Sequence, residues 1–298
     1  MRFMPGVKYF VIAWGLILIM APFVPAYADV GLILDVELRG VYEDNVVGIL
    51  SDQQKASQPS GGARAASSVT GAGQQGPGKS SNASPYLGSS TQNNDDYVLE
   101  VVADLGITAT MTPDTALFII GSVENATYSR YSDFNSTIAG LNTGFAAGLG
   151  PIFLVKFLAF VRMKEFGDSQ RDGSAYGGMV ELKQRFTPWL DLKEAYEYEK
   201  NHADATFFSY TGHAAKAGIG FRLSESWMLN LGYTYLLREY EEPADFAVTS
   251  HAISAGIRKT FFKNWHLTAG YAREMSSENL NNTRSTNNSY SIGVLFTH

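Results

Sequence analysis

Hydrophobic and polar residues alternate one by one over long stretches of the chain after about residue 30. Between residues 98 and 110, for example, Leu99 and Val101 take one set of alternate positions, whereas Glu100 and Asp104 take the other. A period of two residues is typical of a β-strand with one apolar face, because successive side chains point to opposite sides. The pattern predicts a protein built from strands.

Twelve segments of the chain show this alternation. They are longer than the roughly 5–6 residues usual for strands of soluble proteins, and they suit tilted strands that cross a membrane. The predicted strands are 30–43, 96–110, 115–130, 137–148, 152–166, 174–186, 189–200, 208–222, 227–240, 247–260, 264–275 and 287–297.

A repeat of 37 to 38 residues runs through the same region. Trp189, Trp227 and Trp265 are spaced by 38 residues, each follows a short turn-like segment, and earlier units start near Pro113 and Pro151. A repeat of this length fits a helical solenoid or a propeller as well as a series of hairpins. The period of two inside each unit favours hairpins.

The connections between the predicted strands alternate between tight turns and longer polar loops. Short turns at one end and long loops at the other are typical of outer-membrane β-barrels. The sequence therefore predicts an all-β fold, a closed antiparallel transmembrane β-barrel of about 12 strands with short periplasmic turns and long extracellular loops. Outer-membrane lipid is then a predicted partner, and the even strand number places both barrel termini on the periplasmic side.

Aromatic residues fall at both ends of the predicted strands. Two girdles of aromatic side chains at the membrane interfaces would produce this distribution, and core aromatics of a soluble barrel or sandwich are the alternative. The predicted short-turn girdle contains Trp189, Trp227, Trp265, Phe186, Phe221 and Phe261, and the predicted loop-end girdle contains Tyr42, Tyr97, Tyr128, Tyr198, Tyr210 and Tyr240.

The first residues have the features of a secretory signal peptide. Arg2 and Lys8 precede the apolar run 9–24, and Ala26 and Ala28 supply the small residues that a signal peptidase reads. We predict cleavage after Ala28, with an uncleaved anchor helix as the alternative. Residues 1–28 are thus a predicted signal peptide and 29–298 the predicted barrel, in which the low-complexity segment 46–95 is predicted to form an extracellular loop.

Charge and cysteine content exclude several classes of function. Without Arg2 and Lys8 the chain keeps 21 basic residues against 29 Asp and Glu, a net charge of −8, which argues against nucleic acid as a partner. The chain has no cysteine, so it has no disulfide, thiolate metal site or covalent haem attachment. No segment after residue 28 has the apolar length of a membrane-spanning helix, and we predict no cofactor and no metal.

Two short segments resemble known outer-membrane sequences. Tyr42, Asp44, Asn45 and Val46 form a Tyr-x-Asp-Asn-Val motif that resembles the start of the β-barrel porin families described as porin 2-like. That resemblance implies a barrel with a possible pore, and some family members are encoded with exopolysaccharide systems. The segment 289–296 resembles the C-terminal strand signal of the barrel-assembly machinery, a predicted partner, although two residues follow its final aromatic.

The alternation also predicts which charged residues face the interior. Acidic residues dominate the first strands and basic residues the middle ones, so a closed barrel would carry an acidic wall opposite a basic wall and hold a transverse field. Glu181, Asp191, Glu197 and Glu199 interrupt the basic side. The predicted lumen-lining residues are Asp35, Glu37, Arg39, Glu43, Glu100, Asp104, Glu124, Lys156, Arg162, Lys164, Lys183, Arg185, Lys216, Arg222, Arg238, Arg258 and Glu274.

Two functions agree with this pattern. The first is a passive porin-like channel for small or oligomeric polar solutes. The second is a non-conducting structural or interaction barrel, in which opposed charges pair across the lumen and the outer loops bind a surface partner. An enzyme is not predicted, because no histidine pair has a zinc spacing, no Gly-x-Ser-x-Gly elbow occurs, and the adjacent Ser250 and His251 would point to opposite faces of a strand.

Overall fold

The computed structural model describes residues 29–45, 95–279 and 284–298. The predicted signal peptide and nearly all of the predicted loop 46–95 lie outside the described residues. In the described part of the chain, no helix is long and apolar enough to cross a membrane.

The chain forms twelve antiparallel strands that close into one barrel, which confirms the predicted fold. Each strand pairs with its neighbours in sequence, and β1 pairs with β12 from Asp35↔Thr297 to Glu43↔Ser289. The strands are β1 Asp29–Glu43, β2 Asp96–Thr112, β3 Thr115–Tyr128, β4 Ser136–Leu149, β5 Phe153–Phe166, β6 Gly173–Thr187, β7 Leu190–Ala203, β8 Tyr210–Arg222, β9 Trp227–Tyr240, β10 Ala247–Phe262, β11 Trp265–Glu278 and β12 Arg284–Thr297.

Strand length matches the thickness of a membrane. The strands have 13 to 17 residues, which at a rise of ~3.3 Å per residue and a tilt of ~40° gives a barrel wall about 33–43 Å high. An apolar belt of an outer-membrane barrel is ~25 Å tall, so each strand extends beyond the belt at one end or both. Because every described strand has two partners, the backbone groups within the belt find their hydrogen bonds inside the sheet.

Two kinds of turn alternate at the short end of the barrel, a two-residue turn and a slightly longer one. Strands β2, β6 and β10 each end in a register shift, before the two-residue turns 113–114, 188–189 and 263–264. The turn after β4 contains Gly150 with a φ of 71°, a left-handed conformation that glycine adopts without strain. At the opposite end, three single-turn 3-10 helices form the loops at Ser132–Phe134, Ser169–Arg171 and Thr206–Phe208.

Large apolar side chains cover the outside of the barrel and polar ones fill much of its inside. Exposed residues such as Leu38, Leu99 and Val161 alternate with buried charged residues on the same strands. A soluble protein would bury the first set and expose the second, so this inverted distribution identifies the outside as the lipid-facing surface. The exterior also has an aromatic band at the short-turn end, formed by Trp189, Trp227, Trp265, Phe186 and Phe261.

The loop-end girdle differs from the prediction. Tyr42, Tyr97 and Tyr198 do lie on the outer face, but Tyr128, Tyr210 and Tyr240 are buried at 5%, 1% and 5% exposure and point inward. Their inward direction follows from the strand period, because each lies an even number of residues from an inward charge on its own strand, such as Arg238 beside Tyr240. The prediction of an interfacial position was wrong for these three residues.

Candidate functional site in the barrel interior

The first wall of the interior, on β11, β1, β2 and β3, is acidic. The structure buries the side chains of Asp35, Glu37, Glu100 and Asp104 to 6% exposure or less, and Arg39 is the basic residue among them. Asp35 and Asp104 are direct cross-strand partners. Glu43, Asp96, Glu124 and Glu278 are buried on the same strands, and Glu274 is half-buried.

Arg39 is tied to this wall by a short ion pair. Its Nε donates to Glu100 Oε2 at 2.6 Å and its Nη2 lies 2.5 Å from the same oxygen. The two residues are register partners on β1 and β2, so the pair spans one strand spacing along the wall. Both side chains are almost fully buried, which strengthens their attraction relative to a surface pair.

The second wall, on β5 to β10, is predominantly basic and contains a buried cluster around Glu199. The carboxylate of Glu199 accepts from Arg162 Nη1 at 2.6 Å, Lys164 Nζ at 2.9 Å and the Tyr210 hydroxyl at 2.7 Å. Glu197, two residues earlier, pairs with Lys216 at 2.8 Å. The cluster connects β5, β7 and β8 near the loop end of the barrel.

A second group of ion pairs lies lower on the same wall. Glu181 pairs with Lys193 at 2.6 Å and with Lys156 at 3.4 Å, and Lys183 pairs with Asp191 at 3.4 Å. These contacts join β5, β6 and β7. As in the Glu199 cluster, the partners lie on strands that are at most two apart in the sheet.

Three arginines near the short-turn end have a different environment. None of the ion pairs in the described ranges involves Arg185, Arg222 or Arg258. Arg258 donates to the Met228 sulfur at 3.4 Å, and Arg222 is close enough to Arg258 for the two guanidinium groups to repel each other. This part of the lumen therefore carries positive charge that the described carboxylates neutralise only weakly.

Apolar side chains cover part of the wall between the two charged regions. Ile33, Phe118, Ile120, Leu158, Phe160 and Met179 form one buried cluster on the inside. The Phe160 ring lies over Gly177, where a Cβ would approach its Cζ atom to 2.6 Å, and the Arg162 guanidinium stacks on the same ring at 3.8 Å. The Phe160 ring thus packs against the wall at Gly177 and contacts Arg162 of the charged cluster.

The loop end of the interior is lined by aromatic residues from the loops and the strand ends. Phe134, Phe208 and Phe246 from three loops are buried, as are the inward-facing Tyr128, Tyr210 and Tyr240. Arg171, from the loop between β5 and β6, lies 4.4 Å from the Phe166 ring and 5.5 Å from the Phe208 ring. A polar solute that enters from outside would first meet these rings, then the Glu199 cluster.

Two loop carboxylates show how charge is distributed outside the membrane. Burial raises the pKa of Asp172, with further increases from the nearby carboxylates Asp204, Glu165 and Asp168, whereas the Phe166 N–H, which donates to it at 2.6 Å, lowers it. The Lys200 ammonium donates to Glu241 at 2.6 Å and lowers the pKa of that exposed carboxyl. The loop rim is therefore mixed in charge.

The structure brings the predicted inward residues onto two walls and adds several that the sequence analysis missed. Lys193 and Asp96 face the interior. The alternation along each strand predicts this, because Lys193 lies two residues from Asp191 and Asp96 lies four residues from Glu100. Arg171 lies in a loop, where no strand period applies. Tyr210 was assigned to the outer face because of its position near a strand end.

The structure separates the residues that an enzyme would need together. Ser250 faces the interior and bonds with Ser276 Oγ at 2.9 Å, whereas His251 faces outward and bonds with the Tyr233 hydroxyl at 2.8 Å. Among residues 29–45, 95–279 and 284–298, no group of three or more His, Asp or Glu side chains has a metal-binding arrangement.

Comparisons with known proteins show the fold. The sequence matches no protein-family profile and no curated protein sequence. An outer membrane channel from Pseudomonas putida F1 has a TM-score of 0.54 at 7% identity, with 92% of this chain and 98% of that chain covered. The NanC porin (TM-score 0.47, 12% identity, 88% and 98% covered) and the KdgM porin (TM-score 0.42, 13% identity, 67% and 96% covered) are also similar. The chain thus has the outer-membrane β-barrel fold, and its lipid-facing belt places it in the outer membrane.

Proposed function

We propose that this protein is a porin-like passive channel of the outer membrane for small or oligomeric polar solutes. One observation carries the proposal. Buried ion pairs such as Arg39–Glu100 and Arg162–Glu199 link strands one or two apart within a wall, and the interior keeps an acidic side and a mainly basic side. Walls of unlike charge hold a transverse field across the lumen, which orients polar solutes and biases ion selectivity.

The alternative of a barrel closed by charge pairs requires a different arrangement. In such a barrel, carboxylates of β1 and β2 would pair with cations of β5 to β10, since buried charges need partners. Several cations of the basic wall pair instead with carboxylates of their own wall, namely Glu181, Glu197 and Glu199. This local pairing supports a conducting barrel over a structural one.

Single-channel recording tests the proposal. The purified, refolded protein is inserted into a planar bilayer, and current is recorded under a salt gradient. Discrete open steps of the current are expected. The sign of the reversal potential shows whether cations or anions pass preferentially, and therefore whether the acidic or the basic wall dominates. A correctly folded barrel that conducts no ions would contradict the proposal and favour the interaction role.

Two finer proposals accompany the channel. We propose that the assembly machinery recognises β12, because Tyr290, Ile292 and Val294 present an exposed apolar face at the C-terminal strand. Deleting residues 289–298 should abolish insertion in cells. The resemblance at residues 42–46 supports a link to exopolysaccharide systems. Adding acidic or neutral oligosaccharides to the bilayer tests this link, because a recognised sugar should block the channel current.

A further inference from the structure

The lipid-facing side of the barrel carries a hydrogen-bonded pair that occurs three times. The Tyr196 hydroxyl bonds with His213 Nδ1 at 2.7 Å, and the Tyr233 hydroxyl bonds with His251 Nδ1 at 2.8 Å. In the third copy the Tyr271 hydroxyl donates to Asn288 Oδ1 at 2.9 Å. These pairs follow the 37 to 38-residue repeat and satisfy polar atoms that face the membrane.

The third copy differs from the other two at one further position. Tyr198 and Tyr235 pack edge-on against the two histidines, with ring centroids 5.4 Å and 5.3 Å apart. The corresponding residue of the third copy is Arg273, which is exposed on the outer face and is the register partner of Asn288. The repeat therefore replaces an aromatic ring by a cation at this one place.

A row of four tyrosines begins directly below Arg273. Tyr271, Tyr290, Tyr42 and Tyr97 are successive register partners on β11, β12, β1 and β2. Their ring centroids are 5.2 Å, 6.3 Å and 5.1 Å apart along the row. Asn288 connects the row to the start of the first loop, because its Nδ2 donates to Asp44 at 2.6 Å.

Two apolar grooves lie one below the other along the seam between β1 and β12. The upper groove, of about 620 Å³, runs beside Gly40, Leu99 and Ile292 under the tyrosine row. The lower groove, of about 390 Å³, is lined by Val36, Leu38, Trp265, Val294 and Phe296.

The upper groove is placed for a lipid chain of the outer leaflet. It lies beneath the tyrosine row, in the half of the ~25 Å apolar belt that is nearer the loop end. The lower groove includes Trp265 of the short-turn aromatic band, so it lies toward the periplasmic side. The seam begins at the loop end, which faces the outer leaflet, and it descends from the level of Arg273.

We propose that this seam is a binding site for a phosphate-bearing glycolipid of the outer leaflet, with an acyl chain in the upper groove and a phosphate at Arg273. The guanidinium group suits a phosphate because it offers several N–H donors in one plane. Arg284, exposed near the loop end of β12, adds positive charge above the same seam. The tyrosine hydroxyls mark the level at which chain and headgroup meet.

The chain offers a variant that fills the groove without disturbing the fold. A Cβ at Gly40 would meet no atom within 4 Å, so Gly40→Leu places its side chain in the space proposed for the acyl chain. Ala159→Leu, an exposed position on the outer face of β5, is the matched control. The role of the positive charge is tested by Arg273→Gln, with Lys259→Gln as its control. The Lys259 ammonium lies over the Trp227 ring at the opposite end of the belt.

The experiment uses the full barrel, refolded without lipid in a mild detergent, with heat-dependent gel mobility as the check of folding. Lipid A and phosphatidylglycerol are titrated separately, and native mass spectrometry counts the molecules bound. Retention of one lipid A per barrel is expected, weakened about tenfold by Gly40→Leu or Arg273→Gln and unchanged in both controls.

Three results would overturn the proposal. The first is equal retention of lipid A by Gly40→Leu and Ala159→Leu. The second is equally tight binding of phosphatidylglycerol, which would indicate unselective boundary lipid. The third is a dimer of the protein that Gly40→Leu abolishes, which would identify the seam as an interface between two copies. None of these outcomes depends on whether the barrel conducts ions.

Discussion

Replacing Glu199 by glutamine removes the carboxylate that Arg162, Lys164 and the Tyr210 hydroxyl share. The substitution keeps the size of the side chain and one oxygen acceptor, so it tests the charge rather than the packing. The side chains of Glu199, Arg162 and Lys164 are exposed by only 5%, 7% and 1%. In the variant, the buried cations Arg162 and Lys164 would remain close together. The nearby carboxylate of Glu197 lies 3.7 Å from Arg162.

The expected cost follows from this burial. Removing one partner of a buried ion pair destabilises proteins by about 3–5 kcal/mol, whereas exposed pairs contribute about 0.2–1 kcal/mol. Because glutamine can still accept from Tyr210, and Glu197 stays in place, we expect a loss near the lower end, about 3 kcal/mol. The variant should also become more anion-selective, since the basic wall gains one net positive charge.

The assay is denaturant unfolding of the barrel in phospholipid vesicles, followed by tryptophan fluorescence. Glu225→Gln, in the exposed turn between β8 and β9, is the control and should change the free energy of unfolding by less than about 0.5 kcal/mol. A loss below about 1 kcal/mol for Glu199→Gln would refute the reasoning, because it would show that water screens the cluster as it screens a surface pair.

Two other substitutions test separate parts of the interior. The double change Arg222→Gln and Arg258→Gln should shift the reversal potential toward cation selectivity. It should alter the free energy of unfolding by less than about 1 kcal/mol, since neither residue has an ion pair to lose. An unchanged reversal potential would contradict their lumenal role. Gly177→Ala should destabilise the barrel by about 1–3 kcal/mol, because a Cβ there would clash with the Tyr198 carbonyl oxygen and approach Phe160 Cζ to 2.6 Å. Gly256→Ala, whose Cβ would meet its nearest atom at 3.6 Å, is the control, and denaturant unfolding measures both; equal losses would contradict the packing argument.

The fold could be predicted from the sequence because two physical rules act on every strand. The period of two fixes which residues face lipid, and the alternation of short turns with loops fixes the antiparallel order. Arg39, Glu100 and Arg162 could be assigned to the inside on this basis alone. Residues in the middle of a strand follow the period of two most closely, because hydrogen bonds to both neighbouring strands fix the direction of their side chains.

Other parts of the site depend on contacts that no strand period encodes. The three donors to Glu199 come from β5 and β8, and their meeting depends on the stagger between strands that are not consecutive in the chain. Tyr128, Tyr210 and Tyr240 lie at strand ends, where an aromatic residue suits either a membrane interface or the mouth of the lumen. Composition alone favoured the interface. The strand period instead places these residues inside, in line with inward charges such as Arg238, and packing against loop residues such as Phe134 and Phe246 buries them there.

The separation of charge across the barrel is a consequence of topology. The strand order around the barrel repeats the order along the chain, so a block of acidic strands at the start and a block of basic strands in the middle become opposite walls. Ion pairs such as Arg39–Glu100 and Lys193–Glu181 form within a block, because their partners lie on adjacent strands. Local pairing stabilises each wall and leaves the difference in charge between the walls intact. The field across the lumen is therefore set by the order of charges in the sequence, and exchanging strands between the two blocks would weaken it.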